Sequence, residues 1–385
     1  MDLTYTDEEE EFRAGLRRWL AKALPELPAR PSPDDWPGRR AYDLGWQRRL
    51  YEAGYAGLHW PVDAGGRGAT PAQHLIFLEE TERAGAPYVG ANFVGLLHAG
   101  PTIAAEGTPG QRARWLPPVL RGEEVWCQGF SEPGAGSDLA SLRTRAVREG
   151  EEYVVTGSKI WTSHAEVADW CELLVRTDPE APRHRGISWL ALPMDAPGVT
   201  VRPLRTLAGS TEFAEVFLDE VRVPVANRVG AENDGWRVTM VTLSFERGTA
   251  FVGEVVACRR TLGELARAAR ANGRWDDPVL RRRLGRLHGE FGALWRLTQW
   301  NVSEAGRSAG GVPGVGGSVF KLAYSHARQE LYDTAAEVLG AACLSLDEQW
   351  TLDRLSSLSY TIAAGTSQIQ RNIVAERILG LPKDR

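Results

Sequence analysis

The sequence predicts an α+β chain of several domains, with helices at both ends and a strand-rich segment between them. Its 385 residues exceed what one ordinary hydrophobic core encloses. Apolar residues follow helical spacing over the first 120 or so positions and again from about residue 236, whereas the intervening segment shows short apolar runs punctuated by glycine and proline. Hydrophobic residues make up 43% and charged residues 25%, which is typical of a globular protein.

The N-terminal helices are indicated by their capping signals. Thr6 with Glu9 predicts a capping box, and Thr70-Pro71 predicts an N-cap followed by proline at the first helical position. The uncharged stretch 84–105 is interrupted by glycines and prolines, so we expect a buried helix pair there rather than a membrane span. Apolar residues at helical spacing follow the first cap: Phe12, Leu16, Trp19, Leu20 and Ala23.

The central segment is predicted to be a sheet. The stretches 143–148 and 153–157 flank a Glu-Gly-Glu turn, which is a hairpin signal. Further strands are expected at the apolar runs 171–175, 187–192, 199–201 and 213–218.

The C-terminal part is predicted to be a bundle of long helices. One long helix is expected from Trp236 to about Ala271, and Pro278 opens another of similar length. A glycine-rich loop over 310–317 separates these two from a second pair. Long antiparallel helices with short connections form a bundle.

Bulk properties exclude several function classes. The net charge of −5 argues against nucleic acid as a main partner. The four cysteines show no CxxC spacing, the seven histidines show no metal-ligand spacing, and the acidic N-terminus lacks a signal-peptide pattern. We therefore expect a cytoplasmic protein with no metal site and no membrane span.

Three short motifs carry the functional signal. The first covers 128–138 and reads Gln-Gly-Phe-Ser-Glu-Pro-Gly-Ala-Gly-Ser-Asp. The second covers 157–163 and reads Gly-Ser-Lys-Ile-Trp-Thr-Ser, and the third covers 364–371 and reads Ala-Gly-Thr-Ser-Gln-Ile-Gln-Arg. Glycines allow close backbone approach, hydroxyls reach ring heteroatoms, and an indole face covers a ring, so the combination suits a flat, hydrogen-bonding cofactor.

In this order and at these separations, the motifs resemble those of the acyl-CoA dehydrogenase family of flavoenzymes, over nearly the whole chain. The resemblance implies FAD as cofactor. It also implies an N-terminal helical domain over 1–122, a central β-barrel-like domain over 123–232 and a C-terminal four-helix bundle over 233–385.

The resemblance further implies which residues contact the cofactor and the substrate. The β-domain would supply Gln128, Phe130 and Ser131 at the pyrimidine side of the flavin, Gly136 and Ser137 near the phosphates and thioester, Trp161 beside the ring and Ser163 at N5. The bundle would add Thr366 and Gln368, and the substrate would meet Ser137, Arg247 and Gly365. The alternative is a structural turn with a packed tryptophan, and a helix C-cap at Gly365 followed by a threonine N-cap.

The catalytic base is expected at Glu246. Many family members place the glutamate that removes the α-proton immediately before the Gly-Thr pair, where this sequence has Ala364. Members resembling isovaleryl-CoA dehydrogenase place it on the first bundle helix, and Glu246 matches that position. The alternative for Glu246 is a solvated or ion-paired helix glutamate beside Arg247. The backbone N–H of Ala364 would donate to the thioester oxygen.

The resemblance implies α,β-dehydrogenation of an acyl-CoA thioester, with hydride transfer to flavin N5 and electrons passing to an electron-transferring flavoprotein. Ala364 leaves space that predicts a bulky acyl chain. Two departures bear on assembly: 271–278 lacks the family's Arg-x-Phe-Gly motif, and 337–343 has Glu and Cys in place of Gln and Gly. A homo- or hetero-oligomer, such as a dimer of dimers, is expected. A non-catalytic subunit of a mixed enzyme, a flavin monooxygenase and a carrier-protein thioester remain alternatives.

Overall fold

The computed structural model describes residues 4–249, 251–307 and 316–383, apart from the side chains of 245–249 and 305–307. Its N-terminal part contains helices α1 to α5. The capping boxes predicted at Thr6 and Thr70 are both present. A buried ion-pair network joins α1 to α3, because Arg13 Nη1 lies 2.9 Å from Glu79 Oε2 and 2.6 Å from Glu80 Oε1. The helices span Asp7–Ala23, Trp36–Glu52, Pro71–Arg83, Gly100–Glu106 and Pro109–Arg121.

In the uncharged stretch 84–105, residues 91–103 are mostly buried as predicted, whereas Ala84, Gly85, Tyr88 and Ala105 are exposed, and the expected helix pair is wrong. A 3₁₀ turn at Gly90–Asn92 is followed by a π-helical turn at Gly95–Ala99, which runs directly into α4. Gly90, the first residue of the 3₁₀ turn, has a φ of +55°, which lies outside helical geometry. Pro101 has no N–H to donate to the preceding turn, so regular helical bonding is interrupted there.

The central part is an eight-stranded sheet whose path runs β6-β7-β3-β2-β4-β5-β8, with β1 pairing in parallel with β4. The predicted hairpin is confirmed as β2 and β3, joined through Gly150 at a φ of +64°. The path does not close into a ring among the described strands, because β6 and β8 stay at its two ends. The strands span Trp126–Gly129, Arg145–Glu149, Glu152–Ser163, Trp170–Arg176, Ile187–Pro193, Val199–Leu204, Phe213–Pro224 and Arg228–Val229.

Four tryptophans fasten the N-terminal helices to the sheet. The Trp126 ring lies 5.9 Å from Trp115 of α5, 5.7 Å from Trp170 of β4 and 6.4 Å from Trp189 of β5. Trp126 and Trp189 are fully buried and Trp115 is nearly so. The helices and the sheet therefore share one core at the strand β1 that leads into the first motif.

The C-terminal part begins with two helices where one was expected. Helix α6 ends at Thr249 and α7 begins at Val252, with Phe251 outside helical geometry at φ −110° and ψ 13°. Gly248 and Gly253 flank this break, and glycine is a poor helix former. The predicted single helix is therefore wrong. The helices α6 to α11 span Gly235–Thr249, Val252–Ala271, Pro278–Arg307, Gly316–Leu339, Gln349–Ser357 and Ser367–Ile373.

Helices α7, α8 and α9 enclose the bundle core, represented by Leu265, Phe291 and Leu331. The fourth position is taken by the shorter helices α10 and α11, which follow one another. Within the described residues no helix is both long and apolar enough to cross a membrane. The predicted loop over 310–317 lies outside the described residues up to 315, and 316–317 open α9.

Trp126 is expected to be the costliest aromatic side chain to truncate. Trp126→Ala would leave a cavity among three other indoles, so we expect a loss of about 3–5 kcal/mol in the free energy of unfolding. Urea denaturation followed by tryptophan fluorescence measures this loss. Trp300→Ala is the matched control, because that side chain is 43% exposed on α8 and should cost under about 1 kcal/mol. Equal losses for the two variants would contradict the shared core.

Candidate active site

The ends of β1 and β3 bring the first two motifs together. The backbone N–H of Ile160 donates to the Ser131 carbonyl at 2.9 Å. The Lys159 ammonium donates to the Phe130 carbonyl at 3.2 Å. These bonds hold the stretch 128–131 beside 159–163, so the two sequence-predicted groups of cofactor contacts form one surface.

A buried ion pair supports this junction. Lys159 Nζ lies 2.8 Å from Glu132 Oε1, and Glu132 also accepts hydrogen bonds from the backbone N–H groups of Arg143 and Thr144. Burial raises the pKa of Glu132, but the nearby Lys159 charge and these hydrogen bonds outweigh it, so the pKa lies below its ordinary value. Burial lowers the pKa of Lys159. Both residues lie within the motifs, but sequence reasoning assigned no role to either.

The glycine-rich loop after Glu132 leaves its backbone open. A Cβ added at Gly136 would meet no atom within 4 Å, so packing inside the chain does not require glycine there. Gly136 and Ser137 are both exposed, and Asp138 anchors the end of the loop through Arg183 Nη2 at 2.7 Å. An open backbone next to a hydroxyl is a surface that a ligand can approach closely.

Trp161 is presented outward by a strained backbone. Its φ is +61° and that of His164 is +58°, a conformation that costs non-glycine residues roughly 1–2 kcal/mol. The pairing of β3 with β7 shifts register between Lys159 and Thr162, which turns Trp161 away from the ladder. The indole is 57% exposed and touches Phe213 edge-on at 5.9 Å. One indole face is therefore available to cover a flat ring.

Two buried polar atoms near Trp161 fit such a ring. Thr162 Oγ1 and His164 Nδ1 are inaccessible to solvent and have no hydrogen-bond partner among the described residues. Ser163 between them is half-buried. Unsatisfied buried polar atoms carry a free-energy cost that a ligand with ring heteroatoms would remove. The residues present therefore fit FAD.

His164 was not predicted, and its only sequence signal is its place directly after the second motif. Its ring lies 5.2 Å from Trp36 and 5.8 Å from Phe93. Burial, with a smaller contribution from the Arg39 charge, lowers the pKa of His164 to about 4. The ring is therefore neutral at neutral pH and carries one donor and one acceptor.

Gln128 is oriented by two further residues that sequence reasoning missed. Its Nε2 donates to Glu172 Oε1 at 2.8 Å and lies 3.3 Å from His98 Nδ1. Glu172 is fully buried on β4, and His98 comes from the π-helical turn. The His98 ring contacts Phe93 at 5.5 Å, and Phe93 in turn contacts His164. A continuous chain of contacts thus links the ends of β1 and β3.

Phe130 occupies a different environment from the other predicted contacts. Its side chain is 4% exposed and belongs to the core that also holds Trp126. Its backbone carbonyl accepts from Lys159, as described above. Any contact of Phe130 with the flavin would therefore involve the backbone, and its assignment stays a prediction.

The third motif forms a second, separate surface on the bundle. Ala364 and Gly365 have φ values of +51° and +83°, and Lys321 Nζ donates to the Gly365 carbonyl at 2.8 Å. Thr366 Oγ1 caps α11 by accepting from the backbone N–H of Ile369 at 3.2 Å. The threonine N-cap expected as the structural alternative is therefore present. Gln368 is exposed.

Within the described residues, no hydrogen bond links the stretch 364–368 to the sheet, so a ligand would have to bridge them. The Ala364 N–H likewise forms no hydrogen bond to a described residue. The side chains of Glu246 and Arg247 lie outside the described residues, while the backbone of α6 that carries them is described. No group of three or more potential metal ligands occurs in the described part of the chain.

Sequence profiles of one family match three consecutive regions of the chain. They are described as the acyl-CoA dehydrogenase N-terminal, middle and C-terminal domains and match residues 6–123, 127–221 and 233–379. The fold and these profiles thus define a flavoprotein oxidoreductase.

Individual relatives agree with these profiles. Acyl-CoA dehydrogenase IpdE1 from Mycobacterium tuberculosis is 40% identical over 383 residues, covering 97% of this chain and 98% of the relative. The structure described as Tcur3481-Tcur3483 steroid ACAD has a TM-score of 0.86 at 33% identity, and the ChsE4-ChsE5 complex from Mycobacterium tuberculosis has 0.81 at 33%, each covering 100% of both chains. The chain belongs to the acyl-CoA dehydrogenase family. The predicted fold class and family resemblance are both confirmed.

Stability is expected to fall in acid partly through His164. Its pKa is about 4 in the folded chain and about 6.5 in the unfolded chain, so stability is full above pH 6.5 and is lost as the pH falls toward 4. Between pH 7 and 5 this one residue should account for about 2 kcal/mol. Urea denaturation at the two pH values should show that His164→Phe loses this part of the pH dependence.

The matched control is His326→Phe, because His326 is exposed on α9 and should keep the wild-type pH dependence. An unchanged pH dependence in His164→Phe would show that the His164 ring is readily protonated in the folded chain.

Proposed function

We propose that this chain catalyses FAD-dependent α,β-dehydrogenation of an acyl-CoA thioester, with Glu246 as the base that removes the α-proton. Family membership supports the reaction class. The course of helix α6 supports the choice of residue, since it carries position 246 toward Gln128.

Helix α6 runs antiparallel to the segment that contains His98. Arg237 of α6 pairs with Glu106 at 2.7 Å, and farther along, Thr242 Oγ1 lies 2.9 Å from Thr102 Oγ1. Advancing five residues along α6 therefore moves back four residues along the facing segment. One more turn, about 6 Å, brings position 246 level with His98.

Residues four apart share one face of a helix, so position 246 lies on the same face as Thr242. His98 in turn lies 3.3 Å from the Gln128 amide, at the predicted flavin surface. This alignment supports the proposal, because position 246 holds the one glutamate in the sequence of α6 and would lie level with the proposed cofactor site.

The chain's own residues would divide the chemistry between them. Glu246 takes the α-proton, and partial burial of its carboxylate would bring its basicity toward working pH. The Ala364 N–H, held in a left-handed backbone conformation, donates to the thioester oxygen as enolate charge develops. Ser137, Arg247 and Gly365 would hold the substrate. When bound, FAD would supply the acceptor for the β-hydride.

Cofactor binding would use both surfaces described above. Gln128, Ser131, Gly136, Ser137, Trp161 and Ser163 face it from the sheet side, and Phe130 adds its backbone. Thr366 and Gln368 face it from the bundle. Ring stacking on an exposed indole and hydrogen bonds from half-buried or exposed hydroxyls are the interactions that this set can provide.

We also propose that the chain works in a mixed assembly. The two segments that depart from the family pattern contact each other: Asn272 Nδ2 donates to the Val338 carbonyl at 2.9 Å, and Arg274 Nη2 donates to the Glu337 carbonyl at 3.3 Å. Glu337 is also paired with Arg283. The altered residues thus form one end of the bundle. Relatives described as the ChsE4-ChsE5 complex and Tcur3481-Tcur3483 support assembly with a second, non-identical chain.

The substrate would carry a bulky acyl group, because Ala364 leaves space and one similar structure is described as a steroid ACAD. The electron acceptor would be an electron-transferring flavoprotein. The four cysteines are buried free thiols, which supports a reducing, cytoplasmic location.

Replacing Glu246 with Gln should abolish substrate-dependent bleaching of the flavin. The amide keeps the shape but cannot accept the α-proton, so we expect the anaerobic reduction rate to fall at least about 10³-fold. Stopped-flow absorbance with an acyl-CoA panel measures the rate. The matched control is Glu264→Gln on α7, an exposed glutamate that should keep the wild-type rate. Wild-type bleaching in Glu246→Gln would rule out this residue as the base.

Removing the Trp161 side chain should weaken FAD binding. Loss of a stacked indole is expected to cost about 1.5 kcal/mol, or roughly tenfold in Kd. Fluorescence titration of the apoprotein with FAD measures the change, and Trp300→Ala on α8 should leave the Kd unchanged. Equal Kd values for wild type and Trp161→Ala would remove Trp161 from the cofactor site.

The same titration separates the mixed assembly from its alternatives. The chain purified alone should hold less than one FAD per subunit, and co-purification with its partner should restore full occupancy. Full occupancy in the isolated chain would favour a homomer instead. Full occupancy with no bleaching by any acyl-CoA would favour the non-catalytic subunit.

A further inference from the structure

A cavity of about 280 Å³ lies between the N-terminal helices and the start of α7. Its walls come from α2, the loop 55–59, α3, the stretches 86–89 and 96–97, and the first two turns of α7. Most of the lining is apolar, including Leu58, Phe77 and Leu97. At about 30 Å³ per water the space equals about nine waters, which is enough for one or two fused rings.

The cavity lies next to the proposed reaction site. Leu97 in its wall directly precedes His98, which contacts Gln128. Glu254, also in its wall, lies in the first turn of α7, the helix that follows the one carrying Glu246. The cavity is therefore placed to receive the part of an acyl group that extends past the thioester.

Polar side chains cluster within this apolar wall. The His59 and His74 rings are stacked at 4.5 Å, and His74 is only 7% exposed. Neither histidine, nor Glu254, forms a side-chain hydrogen bond with another described residue. His59 and Glu254 are half-buried at the cavity wall, so their polar atoms are available to a ligand oxygen in the cavity.

These groups favour an uncharged ligand. Burial lowers the pKa of His59 to about 4 and that of His74 well below its ordinary value, so both rings are neutral. Burial raises the pKa of Glu254 to about 7, against the opposing charge of Arg328, so a protonated carboxyl can donate. The described lining contains no lysine or arginine, and its other carboxylate, Glu82, lies 3.2 Å from Arg260. An anionic acyl end would find no cationic side chain in the lining itself.

We propose that His59, His74 and Glu254 form the distal end of the acyl site and bind a hydroxyl or keto oxygen on a ring-bearing acyl group. This inference rests on the proposed dehydrogenase function and narrows its substrate class. Neutral imidazoles and a protonated carboxyl together offer donors and acceptors, which suit either kind of oxygen. Specificity would then come from the penalty of leaving these groups unpaired against a plain hydrocarbon ring.

The test uses CoA derivatives with a two-ring acyl group in three forms: hydrocarbon, ring hydroxyl and ring ketone. Binding is measured by calorimetry on the FAD-loaded enzyme, in the assembly in which it purifies, using thioether analogues that lack an acidic α-proton. We expect at least one oxygenated form to bind about tenfold more tightly than the hydrocarbon, since one hydrogen bond contributes about 1 kcal/mol or more. Anaerobic flavin reduction by the matching thioesters gives kcat and KM.

Variants test whether the preference for oxygenated analogues comes from the cluster of His59, His74 and Glu254. Glu254→Leu and His74→Phe should each lower the preference several-fold toward unity, whereas Glu254→Gln should retain part of it because an amide still donates. Glu264→Gln, exposed on the same helix, should keep the wild-type ratio. Thermal unfolding and FAD content verify that each variant is folded.

The outcomes separate this inference from the function on which it rests. Equal binding of all three analogues by the wild type, with their thioesters still reducing the flavin, overturns the inference and leaves the dehydrogenase intact. A tenfold preference that survives Glu254→Leu and His74→Phe also overturns it. Failure of every thioester, straight-chain ones included, to reduce the flavin would instead overturn the proposed function.

Discussion

The buried ammonium group of Lys159 is the constraint on which the cofactor surface depends. It binds the Phe130 carbonyl and the Glu132 carboxylate at once, and so fixes the end of β1 to β3. Lys321 has the corresponding position in the bundle, where it binds the carbonyls of Tyr360 and Gly365 beneath the third motif. Only four lysines occur among 45 basic residues, and these two are buried. A compact ammonium can donate to several converging carbonyls, which a planar guanidinium fits less well.

Three of the five described non-glycine residues with positive φ lie close in sequence to these two anchors or to the groups they bind. Trp161 and His164 follow Lys159, and Ala364 precedes the carbonyl that Lys321 binds. Left-handed backbone at non-glycine residues persists only where surrounding structure determines it. The buried lysines hold the backbone near these residues in place, because they bind carbonyl groups close to them in the structure. On both sides of the space that the cofactor would fill, strained backbone thus lies close to a buried lysine.

Local sequence signals were sufficient for much of the fold. The capping boxes at Thr6 and Thr70 and the hairpin through Gly150 depend on residues a few positions apart, and all three are present. The irregular turns at 90–99 and the break between α6 and α7 were not predicted. A glycine or proline inside an apolar run indicates an interruption, but it does not indicate the backbone conformation that follows. Tertiary packing decides that outcome.

The motifs supplied Gln128, Trp161 and Thr366 as candidate cofactor contacts, and these stay predictions. They gave no indication of the residues that orient or surround them. His98 and Glu172 are 30 and 44 positions from Gln128 along the chain, so no short pattern connects them. The same holds for His59 and His74, whose stacking arises from how a loop folds over α3.

The interruption between α6 and α7 places position 246 and Glu254 on two different helices. Position 246, the proposed base, belongs to α6, which is anchored to α4 through Thr242 and Arg237. Glu254 belongs to the next helix, α7, which packs in the bundle through Val255 and Leu262. Substitutions on α7 could therefore change the proposed acyl cavity without disturbing the alignment of α6. One reaction can in this way be kept while its substrates diversify.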